Sequence, residues 1–476
     1  MSGALSPPQR LSGLDAAFLA LDNRYSQMHT LKFAVLEPNQ PGVVLTPEVV
    51  AEVLRRRLHA VPCYTQKLKF VPLGLHHPLL VNATDFRFED HIHTVTVPQP
   101  GGRRERDAII ADICGGTLDR RRPLWEMWIL DGLAGGRVGC LIKLHHTLAD
   151  GRVAANQLLA FANAEEADLN VTDNTPTTFA LIRDGLADRV RDLGNILALI
   201  CDTRRTMQAT RAIREHAPVR IPKLMSSPPT LFAERVTPAR TWGTASLLLS
   251  QVTAVAKHYG VSVNDVLLAM LSGAVRGYLL AHGTLPDDPV PTMLPVDTSS
   301  PEAADELQGN HWSALMTTLA TDEPDAVERL RTIRASMNVA KQIRNARGDL
   351  LERWAQYINA ALLTKAATAY LESRFAARGK FPTVGVSNVR GPDSAASAGS
   401  AKVAEFYSVG PLPTSAVNVT AWSYAGQFNI SLLAGRNVVP DAYEFLGLMR
   451  DALKELSDRA GMGWRAEELS EGRSLS

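Results

Sequence analysis

Between Pro123 and Ala167 the hydrophobic period changes once, and that change constrains the fold more than any other feature. The stretch PLWEMWILDGLAGGRVGCLIKLHH alternates on either side of a glycine-rich break, the pattern of two strands joined by a tight turn. Strands joined in that way pair antiparallel. After Gly151 the pattern turns helical, in RVAANQLLAFANAEEA. A hairpin running straight into a helix argues against a doubly wound parallel sheet, in which strands and helices alternate strictly.

The rest of the chain mixes the two periods in the same irregular way. HTLKFAVLE, QKLKFVP and HIHTVTVP alternate as strands in the first part, and DPVPTMLPV, HWSALMTTLA, FPTVGVSNV, AVNVTAWSY and QFNISLLAG in the second. Thr46 before Pro47 opens a helix over PEVVAEVLRRRLHAV, and Ser12 with Asp15 opens another over GLDAAFLAL. Two long helices are predicted near 324–346 and 349–377. The fold class is therefore α/β of the α+β type, with mixed sheets.

A chain of 476 residues is too long for one core and predicts two domains. The first covers residues 1–165 and the second 239–476. Residues 166–238 form the connection: a polar stretch, a long helix from Phe179 to His216, and the proline-rich APVRIPKLMSSPPT. Hydrophobic residues make up 45% and charged residues 21%, enough apolar material for a sizeable core. A net charge of +1 gives no support for nucleic-acid binding as the main function. Cys63, Cys114, Cys140 and Cys201 form no CxxC pair and are expected to be buried thiols of a reducing compartment.

The N-terminal stretch does not have the pattern of a signal peptide. No uninterrupted apolar run reaches the ~18–20 residues of a spanning helix. NILALI is short, and Arg276 soon interrupts VLLAMLSGAV. Contact with lipid is expected from the surface or from solution.

Chemistry concentrates in LIKLHHTLADG, Leu141 to Gly151. Alternation puts Val138, Cys140, Ile142, Leu144 and His146 on one face, and Gly139, Leu141, Lys143 and His145 on the other. His146 thus ends an apolar stripe. Burial there disfavours the imidazolium, leaving a neutral general base. Asp150 is placed to pin the turn by a hydrogen bond or an arginine pair, and Gly151 to let the backbone fold tightly where the helix begins.

A bare histidine pair carries little weight, because His76-His77 in GLHHPLLV has no acid or glycine after it. Metal binding does not fit adjacent strand histidines, which point opposite ways, and HExxH spacing is absent. No GxSxG elbow offers a serine nucleophile. Pro123, Leu124 and Trp125 are read as shaping the hairpin and its core.

The full string H-H-x-x-x-D-G at a strand end resembles the signature of the CoA-dependent acyltransferase superfamily, which includes chloramphenicol acetyltransferase, carnitine acyltransferases and peptide-synthetase condensation domains. More narrowly, the chain resembles the bacterial wax ester synthase/diacylglycerol acyltransferase family over nearly its whole length. LSGLDAAFLAL and MHTLKFAVLEP are similar to its opening. LDRRRPLWEMWILDGLAGGRVGCLIKLHHTLADG is similar to its PLW and active-site blocks, and SVNDVLLAMLSGAVRGYL to its ND block. LPVDTSSPEAADELQGNHWS, GVSNVRGP and AWSYAGQFNISLLAG follow in order. Arg390 stands where the family usually has proline, and an asparagine-glycine pair common near LFAERVTPAR is missing.

The resemblance implies two chloramphenicol-acetyltransferase-like domains with a tunnel at their interface. It implies transfer of a long acyl chain from acyl-CoA to diacylglycerol or a long-chain alcohol. His146 would be the base, assisted by His145, Asp150 and Gly151. Asn264 and Asp265, at a helix start, are candidates for substrate binding, and Asn310 for a donor to the developing oxyanion. No metal or cofactor is expected beyond acyl-CoA as substrate. The expected setting is cytoplasmic, peripheral on membranes or lipid inclusions. A different alcohol acceptor and a non-catalytic lipid-binding paralogue are the alternatives.

Overall fold

A computed structural model describes residues 8–463, except 41, 224–225, 299–304, 311, 358–362, 367–368, 370–380, 399 and 414. Two six-stranded sheets organise it. The first runs Ser397–Ala398, Ala401–Val409, His29–Pro38, Arg137–His145, Trp125–Leu133, Ile92–Thr96. Its hairpin is antiparallel, as the glycine break requires, and only Ile92–Thr96 runs parallel to its neighbour. The second runs Trp312–Thr318, Pro291–Asp297, Val384–Arg390, Val417–Tyr424, Gln427–Gly435, Arg240–Leu248, with Val384–Arg390 parallel to both its neighbours. Both sheets are thus mixed.

The two halves share a strand. Ala401–Val409 leaves the C-terminal half and pairs with His29–Pro38, so residues from 239–476 complete the first sheet. A register shift between Val403 and Glu405 breaks its alternation. That bulge hides the strand from a period-two search. Helix Arg103–Cys114 lies against strand Arg240–Leu248 and closes the same boundary. From it, buried Arg106 pairs with Asp107 at 3.1 Å and Glu405 at 3.3 Å, and donates to Thr244 at 2.8 Å.

The connection contains a single 38-residue helix, Thr178–Glu215. Arg189 ties it to the carbonyls of Leu75 and Gln356, each at 3.0 Å. The His76-His77 pair serves here as a structural clasp, with His77 Nε2 3.1 Å from the Gln356 carbonyl and His76 Nε2 3.5 Å from Asp192. Cys201 lies exposed on this helix, whereas Cys63, Cys114 and Cys140 are buried. Few of the helix's residues are covered, so a thiol on it reaches solvent.

The second core surrounds helix Val263–His282. By length and composition this helix is apolar enough to cross a bilayer, which a search for uninterrupted runs misses because Arg276 divides it. Leu267, Leu268, Leu271 and Val275 are fully buried, and 67% of its most apolar window is inside the protein. Of the two long helices predicted next, one spans Ala326–Arg347. The other begins as Leu350–Ala355, and most of its remaining predicted length lies outside the described residues.

Candidate active site

Strand Arg137–His145 ends one residue before His146, and the turn from Thr147 to Asp150 leads into helix Gly151–Asn163. The alternation expected of the strand holds. His145 is wholly buried beneath the turn, and Lys143 beside it is buried too, donating to the Ile113 carbonyl at 3.2 Å. His146 faces the other way, into a cavity of about 410 Å³ between the halves. Phe18, Thr30 and His146 line it from one side, and Met293, Asn388 and Asn418 from the other.

His145 braces the turn. Its Nδ1 accepts the Thr147 N–H at 3.1 Å, so its proton sits on Nε2, 3.7 Å from Asp22. Burial lowers its pKa against the pull of Asp22. Burial works against charge on Asp22 as well, but His145, His29 and the Met28 N–H hold its carboxyl well below the usual range. Arg120 completes that cluster, 2.9 Å from Asp22.

Asn310 does something the sequence does not show. Its Nδ2 donates to Asp15 Oδ1 at 2.6 Å and to the His146 carbonyl at 2.7 Å. Both partners are acceptors here, which fixes the amide orientation. Its Oδ1 therefore faces His146 Nδ1, at 2.9 Å, and accepts a hydrogen bond from the Nδ1–H. The proton lies on Nδ1, and the Nε2 lone pair is left for chemistry. With its amide hydrogens committed, Asn310 orients the ring; it does not serve as the expected oxyanion donor.

Asn310 reaches across from the C-terminal half because Gly309 bridges Ala149 and donates to the Leu148 carbonyl at 3.1 Å. Gly309 has φ +101°, a conformation that favours glycine. Asp15 has a second duty: as predicted, it forms a capping box with Ser12 at the start of helix Gly13–Leu21. One turn on, Phe18 covers the His146 ring, with centroids 4.4 Å apart.

Burial pushes His146 down to about 4, against the pull of the Asp150 carboxylate and the Asn310 hydrogen bond, and Lys32 adds to the fall. The imidazole is neutral at physiological pH. Asp150 caps the helix and accepts the Val153 N–H at 2.9 Å. Gly151 sits at the first helical position with an ordinary φ, so freedom to turn is not its contribution. A Cβ there would approach Val389 Cγ2 to 3.2 Å, so its smallness admits the opposite half.

Replacing Asp150 with alanine should cost about 1 kcal/mol of stability, together with turnover. Asp150→Asn retains a cap and should restore most of the melting temperature. Unchanged melting of Asp150→Ala with activity lost would assign the carboxylate a direct part in the reaction.

Asn264 and Asp265 do not join His146: neither is among the described residues lining its cavity. Asp265 closes a capping box with Ser262 and pairs with Arg334 at 2.9 Å, which gives it a structural duty at the start of helix Val263–His282. Trp125 is likewise structural, buried and donating to the Tyr64 carbonyl at 2.7 Å. Arg390 borders the cavity but is mostly exposed and pairs with Asp393 at 3.2 Å.

A model of the wax ester synthase/diacylglycerol acyltransferase catalytic domain matches residues 11–267, and one of the C-terminal domain of that family matches 308–457. The chain belongs to the wax ester synthase/diacylglycerol acyltransferase family. It is an acyltransferase. Two Mycobacterium tuberculosis proteins named as candidate diacylglycerol O-acyltransferases are 34% and 33% identical to it. The alignments cover 95% and 94% of this chain and 97% of each relative. The wax ester synthase/diacylglycerol acyltransferase of Marinobacter aquaeolei VT8 shares the fold at a TM-score of 0.68 and 23% identity, over 95% of this chain and 100% of that one. A condensation domain of the calcium-dependent antibiotic synthetase superposes at a TM-score of 0.60 and 15% identity, over 98% and 99%. The two-domain α/β architecture expected from the acyltransferase signature is thus the one found.

Proposed function

We propose that this family member transfers a long acyl chain from acyl-CoA to the hydroxyl of diacylglycerol or a long-chain alcohol, with His146 as general base. The chain of hydrogen bonds from Asp15 through Asn310 to His146 carries this reading, because it presents the Nε2 lone pair toward the cavity. In the proposed reaction, Nε2 takes the hydroxyl proton as the oxygen attacks the thioester carbonyl carbon. The carbon–sulfur bond then breaks, and the leaving thiolate recovers the proton from the imidazolium. Ester and CoA are the products. A thioester is already activated, so the step calls for no cofactor.

The deciding experiment offers purified protein palmitoyl-CoA with a panel of diacylglycerol, fatty alcohols and short alcohols, and analyses the lipids. Ester formation with release of CoA is expected, and the ranking identifies the acceptor. A folded protein that releases no CoA with any of them would support a lipid-binding role instead.

The same reading places the protein in the cytoplasm, peripheral on a membrane or lipid inclusion. Helix Thr178–Glu215 supports it with an exposed apolar stripe: Phe179, Leu186, Val190, Leu193 and Leu197 are 49–75% exposed and share one face. Its arginines contribute less than their number implies. Arg211 pairs with Glu215 at 2.7 Å, and Arg214 is tied to the carbonyls of Ile221 and Pro222. Leu193→Glu with Leu197→Glu should lower the fraction sedimenting with anionic liposomes while leaving activity on detergent-dispersed substrate intact. An unchanged fraction would remove this face from consideration.

A further inference from the structure

A second cavity, of about 110 Å³, lies farther along the sheet face that His146 terminates. Ala34, Leu36, Cys140 and Ile142 of the sheet line it, with Leu158 and Phe161 of helix Gly151–Asn163 as its roof. The sheet register orders the two cavities in space. His145 pairs with His29, Leu144 with Thr30, Ile142 with Lys32 and Cys140 with Ala34. His146 therefore stands level with Met28, and Lys32 lies four residues along the same face, ~14 Å away. Beyond Lys32 the walls are almost wholly apolar. Of the described residues, Lys32 alone lines both cavities.

Lys32 is itself a buried cation. It pairs in register with Ser408 of the inserted strand and donates to its hydroxyl at 2.5 Å. Its ammonium lies 5.7 Å from the centre of the Trp422 ring. Burial pushes the ammonium down to about 8, with Asp150 pulling the other way. Its methylene stem forms part of the wall, while its head is drawn sideways to Ser408.

We infer that the apolar cavity is a subsite for the far end of a long alkyl chain, and that Lys32 with Ser408 forms a collar between it and the reacting end at His146. The inference rests on the acyltransferase reading of the His146 cavity. Chains of medium length end before the collar; longer ones pass it and bury their terminal methylenes beyond. The donor's acyl chain and the acceptor's alkyl chain have the same chemistry, and the experiment separates them.

The cavity can be filled from two walls, by Ala34→Leu and by Leu158→Trp, with melting temperatures recorded for both. Acyl-CoA donors from octanoyl to palmitoyl are tested against one short alcohol, and alcohols of the same lengths against one short donor. A filled subsite should lower kcat/KM for the sixteen-carbon substrate at least about tenfold, and leave the eight-carbon one within about twofold. Lys32→Met, which keeps the stem and removes the charge, should raise the long-to-medium ratio. Discrimination in the donor series assigns the subsite to the acyl group, and in the alcohol series to the acceptor. Folded fillers that leave both series unchanged, or depress all lengths equally, overturn the subsite. A wild-type protein with no transfer at any length would sink the acyltransferase reading instead.

Discussion

Replacing His146 with alanine is expected to lower acyl transfer by roughly 10²–10⁴-fold, the usual worth of a positioned general base. The loss should fall on kcat, because the ring is one part of a large cavity and its removal leaves most substrate contacts in place. His145→Ala should cost less. It removes the acceptor for the Thr147 N–H and the neighbour of Asp22, so its effect comes through the turn and includes lost stability. Near-normal turnover in folded His146→Ala would end the general-base mechanism.

The pH profile gives an independent check. A histidine with an ordinary pKa near 6.5 would put the acid limb of kcat/KM there. His146 is held down to about 4, so activity should persist well below pH 6 and fall only as the ring takes up a proton. Stability limits the measurement from the same side. His29, His77, His91 and His145 also have lowered pKa values from burial. Below pH ~6.5 the unfolded chain binds protons that the folded one does not, so stability falls as pH falls. Short assays with the folded fraction checked at each pH separate the two effects.

Much of this site is legible in the sequence. Alternation along Val138 to His146 correctly set the two histidines on opposite faces, because one face of a strand is buried as a unit. The hairpin, the helix after Gly151 and the cap at Asp15 followed from local patterns. What was not legible is long-range. Asp15 and Asn310 are 295 residues apart, and each has a sufficient local explanation, as a cap and as a loop amide. Neither position alone signals the other. The inserted strand Ala401–Val409 was hidden by its bulge, and with it the partner that holds Lys32. At Asp265 the local pattern leaves two readings open, helix-start electrostatics and a substrate contact, and the residue is not among the described residues lining the His146 cavity. A capping box and Arg334 engage its Oδ2 and give the carboxylate a structural duty at the helix start.

The contact between the halves at Asn310 leads to the second large effect. Asn310→Leu keeps the side chain's approximate volume and removes every hydrogen bond it makes. His146 Nδ1 then loses its acceptor at 2.9 Å, and Asp15 Oδ1 its donor at 2.6 Å. Without the amide oxygen nothing in this relay selects the Nδ1–H tautomer, and the ring can present N–H where a lone pair is required. A base held in the wrong tautomer is a poor base even with its position intact. Turnover should fall roughly 10–10³-fold, with KM changed little. Asp15→Asn should act in the same direction but less, since the Asn310 amide keeps its bond to the His146 carbonyl. A purely structural role for Asn310 would instead lower the melting temperature and leave the kcat of the folded fraction normal. That result would detach the C-terminal half from catalysis and return the ring's orientation to Phe18 and the turn alone.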